Sequence, residues 1–240
     1  MSGHSKWSKI KRQKGAADAK RSALFTKLGN AISLAAREMG GDLETNFKLR
    51  LAVDKARSAN MPRENIDRAI KRGAGELAGD QIEEIIYEGY GPLGVAFVIE
   101  ALTDNKNRTV GSVRHILAKH DGNLGGSTLW LFDRKGVIRI DPANLKMDKD
   151  EFLLKAIDLG TEDVQEDEDS LIIYTDPGDL QKVKELLEKE GLEIEYAELE
   201  YVAKDQIKVV DETLKNSLQK IYVELDEDPD VSNYYTNTDY

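Results

Sequence analysis

Cysteine is absent from this chain of 240 residues, so disulfides and thiolate metal centres are excluded outright. Histidine is scarce: His4, His115 and His120 share no i,i+3 or i,i+4 spacing, which argues against a structural zinc site. Long apolar runs are missing too. A membrane helix needs roughly 20 apolar residues; the best stretch, residues 93–102, reaches about half of that and contains Glu100. The positive amino terminus is followed by no apolar segment, so no secretory leader is expected and the expected compartment is the cytoplasm.

Catalytic signatures are equally thin. The glycines of YEGYGPLG and HDGNLGGS have neither P-loop spacing nor its Lys-Ser/Thr pair, and read as turns. The acidic run of Glu162, Asp163, Glu166, Asp167, Glu168 and Asp169 lacks EF-hand spacing and its central glycine, and reads as a solvated hairpin. His115 and His120 form no nucleophile–base pair with the nearby serines, and His115 reads as a helix-surface residue. The expectation is a non-enzymatic protein with no cofactor and no metal.

Charge is present, and unevenly placed. Residues 1–72 contain 17 Lys and Arg against 7 Asp and Glu, a local net of +10. The other 168 residues hold 17 basic and 38 acidic side chains, a net of −21, so the overall −11 conceals two different surfaces. Exposed charges act over only about 8–10 Å at physiological salt, and the basic third therefore behaves as its own electrostatic body.

Within it, residues 1–21 carry seven basic side chains, a single acid (Asp18) and no apolar stripe. Two readings stand: a solvated tail, or an arm that orders on nucleic acid, with Lys6, Lys9, Lys11, Arg12, Lys14, Lys20 and Arg21 on phosphates and Trp7 stacking. From residue 22 the apolar period becomes helical. Leu24, Leu28, Ile32 and Ala35 mark a first helix stopped by Gly40-Gly41; a second runs from about 45 to 59; a third opens at Pro62 and ends at Gly73. They make a three-helix bundle over residues 22–78, with Arg50, Lys55, Arg57, Arg68, Lys71 and Arg72 pointing outward.

The period then changes. Strands at 84–90 and 95–101, a helix at 107–119 and a strand at 128–132 begin an α/β domain over 79–134. Residues 135–202 read β-α-β-β-α-β, the ferredoxin-like order. Their last strand, LEIEYAELEYV, slips its apolar alternation by one, which predicts a bulge. A helix at 205–225 and a strand at 231–236 cannot form a domain alone, so residues 203–240 are expected to complete the sheet of 79–134. The predicted class is α+β with three domains: an amino-terminal helical bundle, then two α/β domains, the ferredoxin-like one inserted in the other. Between strand and helix lies Thr103 to Thr109, TDNKNRT. Asn107 could cap the helix, or its amino terminus with Asn105, Lys106, Asn107 and Arg108 could bind phosphate.

The segments GHSKWSKIKRQKGAADAKR, FTKL, LRLAVDKARSANMPRENIDRAIKRGAG, YEGYGPLGV and EALTDNKNRTV together resemble the YebC/PmpR family, in order and across the chain. That resemblance implies a three-domain cytoplasmic protein with one of two roles. One is a DNA-binding transcriptional regulator. The other is a ribosome-associated translation factor that relieves stalling at stretches such as consecutive prolines, for which the basic segment 3–21 and the loop 103–109 are the implied contacts to ribosomal RNA. Duplex DNA would call on the third helix, which offers Arg63, Asn65, Arg68 and Arg72 but also carries Glu64 and Asp67, which repel phosphate. The acidic remainder disfavours a long duplex, which tips the reading toward RNA. The sequence leaves the oligomeric state open.

Overall fold

A computed structural model describes residues 18–77, 81–145, 148–167 and 170–239. The class is α+β, with seven α-helices and two four-stranded antiparallel sheets among these residues. The described chain falls into two compact units, one including residues 18–128 and Val210–Tyr234, the other including Leu129–Val209 and residues 235–239.

The first unit begins with the helical bundle, α1 (Asp18–Met39), α2 (Phe47–Ser58) and α3 (Arg63–Gly73). Leu28, Ile32, Leu49, Val53, Ile66 and Ala69 recur at helical spacing and close its core. Gly40, at φ 89°, ends α1 in the left-handed conformation that glycine adopts without strain. Asn46, fully buried, joins two helix ends: its Oδ1 accepts the Leu49 N–H at 3.0 Å, and its Nδ2 donates to the carbonyls of Ala35 and Gly40 at 2.8 and 2.7 Å. Gly73 lets α3 lie directly on α1, since a Cβ there would sit 2.2 Å from the Ser33 carbonyl oxygen.

Next come β1 (Glu83–Tyr90), β2 (Ala96–Thr103), α4 (Lys106–Lys119) and the two-residue β3 (Asn123–Leu124). The sheet is completed from far downstream: α7 (Glu212–Glu227) leads into β8 (Val231–Thr236), and the strand order is β3-β1-β2-β8. Every residue of β2 is buried. On one face Phe97 meets Tyr222 of α7, whose ring stacks on Tyr234 at 5.3 Å. The bundle is tied to this sheet by Asn30, which donates to the Leu102 carbonyl at 2.9 Å, and by Lys27, whose ammonium donates to the Asp226 carbonyl at 2.7 Å near the end of α7.

The second unit holds β4 (Phe132–Ile140), α5 (Lys149–Asp158), β5 (Asp163–Asp167), β6 (Ser170–Thr175), α6 (Leu180–Lys189) and β7 (Tyr196–Ala203). Its sheet order, β5-β6-β4-β7, is the ferredoxin-like 4-1-3-2 read backwards from the second strand. Ile138, Ile140, Leu171 and Ile173 pack under Phe152 of α5 and Val183 and Leu187 of α6.

Several expected boundaries move. Residues 129–131 form a 3-10 turn, and the strand expected there starts at Phe132 and runs unbroken to Ile140. No bulge interrupts β7, which pairs continuously from Arg139↔Tyr196 to Phe132↔Ala203. The apparent slip arises because Leu192 and Ile194 belong to the connection from α6, where they pack into the helix-side core. The late helix starts at Glu212 rather than near 205, capped by Asp211, whose side chain accepts the Leu214 N–H.

Candidate nucleic-acid interface

Of the arm residues, Lys6, Trp7, Lys9, Lys11, Arg12 and Lys14 lie outside the described residues. Lys20 falls in the first turn of α1, with its side chain outside the described ones, and Arg21 follows it, exposed.

The bundle surface is built by α3. Pro62 precedes its first turn, Glu64 stands at its positive end and Lys71 and Arg72 at its negative end, each complementing the helix dipole. With Ile66 and Ala69 turned inward, Arg68 and Lys71, three residues apart, both face solvent. Arg68, Lys71 and Arg37 on α1 have no acidic partner among the described residues. Other cations are compensated locally: Lys48 by Glu38 at 2.8 Å, Arg57 by Asp54 at 3.2 Å, and Arg63 by Asp67 at 3.7 Å. Two side chains expected to point outward do not. Arg50 is half-buried and donates to the carbonyls of Leu43 and Glu44, because it lies over the α1–α2 connection. Arg72 is half-buried as well, donating from Nη2 to Asn30 Oδ1 at 2.8 Å and from Nε to Ser33 Oγ at 3.3 Å. Through Asn30 it is linked to the Leu102 carbonyl, so Arg72 fastens α3 to α1 and, one bond further, to β2.

The loop from Thr103 to Thr109 is held just as firmly. Asn105, not Asn107, caps α4, its side chain accepting the Arg108 N–H at 3.1 Å. Lys106 pairs with Glu83 at 2.7 Å. Arg108 is clamped on both sides: Nε and Nη2 reach the two Asp230 oxygens at 3.0 and 2.8 Å, and Nη2 also reaches Asp104 at 3.0 Å. The hydrogen bonds to Asp230, then those to Asp104, raise its already high pKa further. Thr109 donates or shares its hydroxyl with Thr103 and with Asp230, each at 2.8 Å. Asn107 alone of the four loop residues is exposed with no side-chain bond to another described residue.

Sequence reasoning missed Asp230 and Asp228. They lie about 120 positions downstream in the run DEDPD, between α7 and β8, for which no role was expected from the sequence. Asp230 is almost fully buried and receives Arg108 and Thr109; Asp228 accepts from Ser112 Oγ and from the Asp230 N–H. A run of acids opening onto a β-strand was the one available signal.

The glycine segments, read as turns, are so only in part: residues 92–94 form a 3-10 turn, whereas Gly89 belongs to β1 and Asn123–Leu124 form β3. Gly89 and Tyr90 pair with Leu124 and Asn123, and the Tyr90 hydroxyl donates to the Ser127 carbonyl at 3.1 Å. His120 meets Glu224 at 2.9 Å beside Lys119, and those two hydrogen bonds hold the Glu224 carboxyl below its usual range. His115 lies exposed on α4. No group of His, Asp and Glu among the described residues is arranged to hold a metal, and no helix there is long and apolar enough to cross a membrane.

Comparison with known proteins covers nearly the whole chain. Residues 5–76 match the profile of the TACO1/YebC protein N-terminal domain, and residues 82–238 that of the TACO1/YebC second and third domain. A protein of Natranaerobius thermophilus named probable transcriptional regulatory protein is 49% identical over all of this chain and 96% of its own length. One of the same name from Persephonella marina is 51% identical over 99% of this chain and 95% of its own. The crystal structure of a conserved hypothetical protein from Aquifex aeolicus superposes with a TM-score of 0.84 at 46% identity, covering 98% of this chain and 96% of that one.

Proposed function

The chain belongs to the TACO1/YebC family, and from that premise we propose that it is a nucleic-acid-binding regulator of gene expression, acting as a non-enzymatic translation factor on the ribosome. The observation that carries this reading is the placement of uncompensated positive charge. Arg37, Arg68 and Lys71 stand exposed without an acidic partner among the described residues, on a segment with a net charge of +10, while the remaining 168 residues carry −21. Such a surface supplies the sequence-independent phosphate attraction that dominates nucleic-acid affinity. In this reading the basic arm, residues 1–21, anchors on ribosomal RNA through Lys6, Lys9, Lys11, Arg12, Lys14, Lys20 and Arg21 with Trp7 stacking. The bundle adds Arg68 and Lys71, and the acidic lobes face protein or solvent. The work takes place in the cytoplasm, at stretches such as consecutive prolines where translation is difficult.

A second reading, a DNA-binding transcriptional regulator, is favoured by the name the curated relatives carry. The composition of α3 weighs against base readout in a major groove. Arg63 is paired with Asp67, Asn65 is half-buried, and Arg72 is bonded to Asn30, which leaves Arg68 and Lys71 as phosphate contacts without a base-reading partner beside them.

Sedimentation of the full chain with ribosomes and with duplex genomic DNA, at equal nucleotide concentration and near-physiological salt, separates the two. The chain is expected to follow ribosomes. Reversing Lys9, Lys11 and Arg12 to Glu together is expected to weaken that binding by more than about tenfold with an unchanged melting temperature. Partition to DNA would replace this reading with the transcriptional one, and unchanged affinity of the triple variant at about 100 mM salt would remove the arm from the interface.

A further inference from the structure

Helix α4 is out of keeping with its surroundings. Residues 106–119 contain Lys106, Arg108, Arg114, His115 and Lys119 and not one acid, inside the part of the chain whose net charge is −21. Thr109, Val113, Ile116 and Leu117 are buried, and the opposite side is open, with Asn107, Gly111, Arg114, His115 and Ala118 exposed. Three of its cations are answered by acids from other elements: Lys106 by Glu83, Arg108 by Asp230 and Asp104, and Lys119 by Glu224. Arg114 has no such partner among the described residues.

Gly111 lies at the middle of this open side. Counting 100° per residue, it falls between Asn107 and Arg114 on one flank and Arg108, His115 and Lys119 on the other. Nothing among the described residues calls for a glycine there. Its φ is not positive, and an added Cβ would meet no described atom within 4 Å beyond the helix's own backbone. Glycine is the least favourable residue in a helix interior after proline, so the position carries a conformational cost without a gain in packing. Removing a side chain from an exposed helix gives a gain only to something that approaches the helix backbone closely.

We propose that the solvent face of α4, centred on Gly111 and flanked by Asn107, Arg114 and His115, is a second contact surface for the sugar-phosphate backbone of RNA. The surface offers donors and positive charge but no large apolar side chain, which suits phosphates and ribose hydroxyls and gives an apolar peptide nothing to bury. From Asn107 to Ala118 it extends about 16 Å, enough for several nucleotides of one strand. Arg114 supplies the uncompensated charge of this face, while the paired Arg108 and Lys119 border it without adding net charge. The proposal rests on the ribosome-binding reading and extends it to a helix outside the basic third.

Full-length Arg114→Glu, Gly111→Gln and Lys182→Glu chains would be titrated against ribosomes across a salt series, beside an Arg68→Glu/Lys71→Glu chain. Lys182 is an exposed position on α6 that controls for change in total charge. Arg114→Glu is expected to weaken binding roughly tenfold at 100 mM salt and to lower the salt slope by about 0.7. Gly111→Gln is expected to weaken it several-fold while its melting temperature stays equal or rises, since the site is open and glutamine favours helix. Lys182→Glu is expected to bind as the unaltered chain does. A photocrosslinker placed at His115 is expected to label ribosomal RNA.

Binding within twofold of the unaltered chain for both Arg114→Glu and Gly111→Gln, with loss only in the bundle variant, would overturn this surface and leave the arm-and-bundle reading intact. Equal losses in Arg114→Glu and Lys182→Glu would overturn it as a bulk-charge effect, and crosslinks to protein alone would overturn RNA as its partner. No binding of the unaltered chain to ribosomes would overturn both proposals.

Discussion

Arg108 has two incompatible uses, phosphate contact or internal clamp, and a single double-mutant cycle distinguishes them. Its guanidinium side chain is about half exposed (52%), whereas the Asp230 side chain it grips is only 6% exposed. Arg108→Ala therefore strips a nearly buried carboxylate of its main counter-charge, leaving the Thr109 hydroxyl at 2.8 Å and little solvent. Breaking a fully buried pair costs about 3–5 kcal/mol. Because one partner is half in water, part of that interaction is already screened, and about 2–3 kcal/mol is the expected loss. Asp230→Asn keeps the shape but removes the charge, at about 1–2 kcal/mol. In Arg108→Ala/Asp230→Asn no charge is left buried, so the double variant is expected to recover about 1–2 kcal/mol relative to the sum of the singles. Chemical denaturation at pH 7 gives the cycle, and a fall in melting temperature of roughly 5–10 °C for Arg108→Ala is its thermal counterpart in a chain of this size. An Arg108→Ala protein within about 0.5 kcal/mol of the unaltered one, with ribosome binding reduced tenfold, would refute the clamp and return Arg108 to the interface.

Two further outcomes follow from the hydrogen bonding. Asn46→Asp keeps an excellent cap for α2 yet is expected to destabilise the bundle by about 2–3 kcal/mol, since a carboxylate would replace the amide that donates to the Ala35 and Gly40 carbonyls; urea unfolding of this variant beside Asn46→Ala tests it, and a stabilised Asn46→Asp would contradict the bonding scheme. The Glu224 carboxyl is held down by hydrogen bonds from His120 and then Lys119, so its contribution is present above the ordinary glutamate value of 4.5 and is lost as pH falls below it through the depressed value. Glu224→Gln is expected to flatten the acid side of the melting temperature profile below the ordinary glutamate value of 4.5, and an unchanged acid slope would show the pair to be thermodynamically silent.

The candidate interface divides by the range of the interactions that build it. The outward cations of α3 were legible because local charge and a helical period place Arg68 and Lys71 on a solvent face whatever the rest of the chain does. Arg72 belongs to the same helix and the same charge run, yet it is turned toward Asn30, about 40 positions upstream, and one helical step decided which arginine is spare. The TDNKNRT loop shows the same limit. Its capping role was readable, though on Asn105 rather than Asn107, because either asparagine can precede a helix and only the actual first turn selects one. Its clamp on Asp230 had no local signal at all.

From the sequence alone came the class of each domain, the insertion of one in the other, and the segregation of charge. These rest on periodicity, on turn residues and on counting, all of which act over a few neighbouring residues or over none. The tertiary structure decided which charged groups remain for a partner. It pairs Arg139 with Glu200, at 1% and 7% exposure, across a ferredoxin-like sheet face where alternation would have left both in solvent. It also pairs three cations of α4 with acids from β1, the α7–β8 turn and α7, leaving Arg114 uncompensated beside Gly111. The physical reason is common to these cases. A charge is exposed or neutralised according to what folding brings within about 4 Å of it, and those neighbours come from anywhere in the chain.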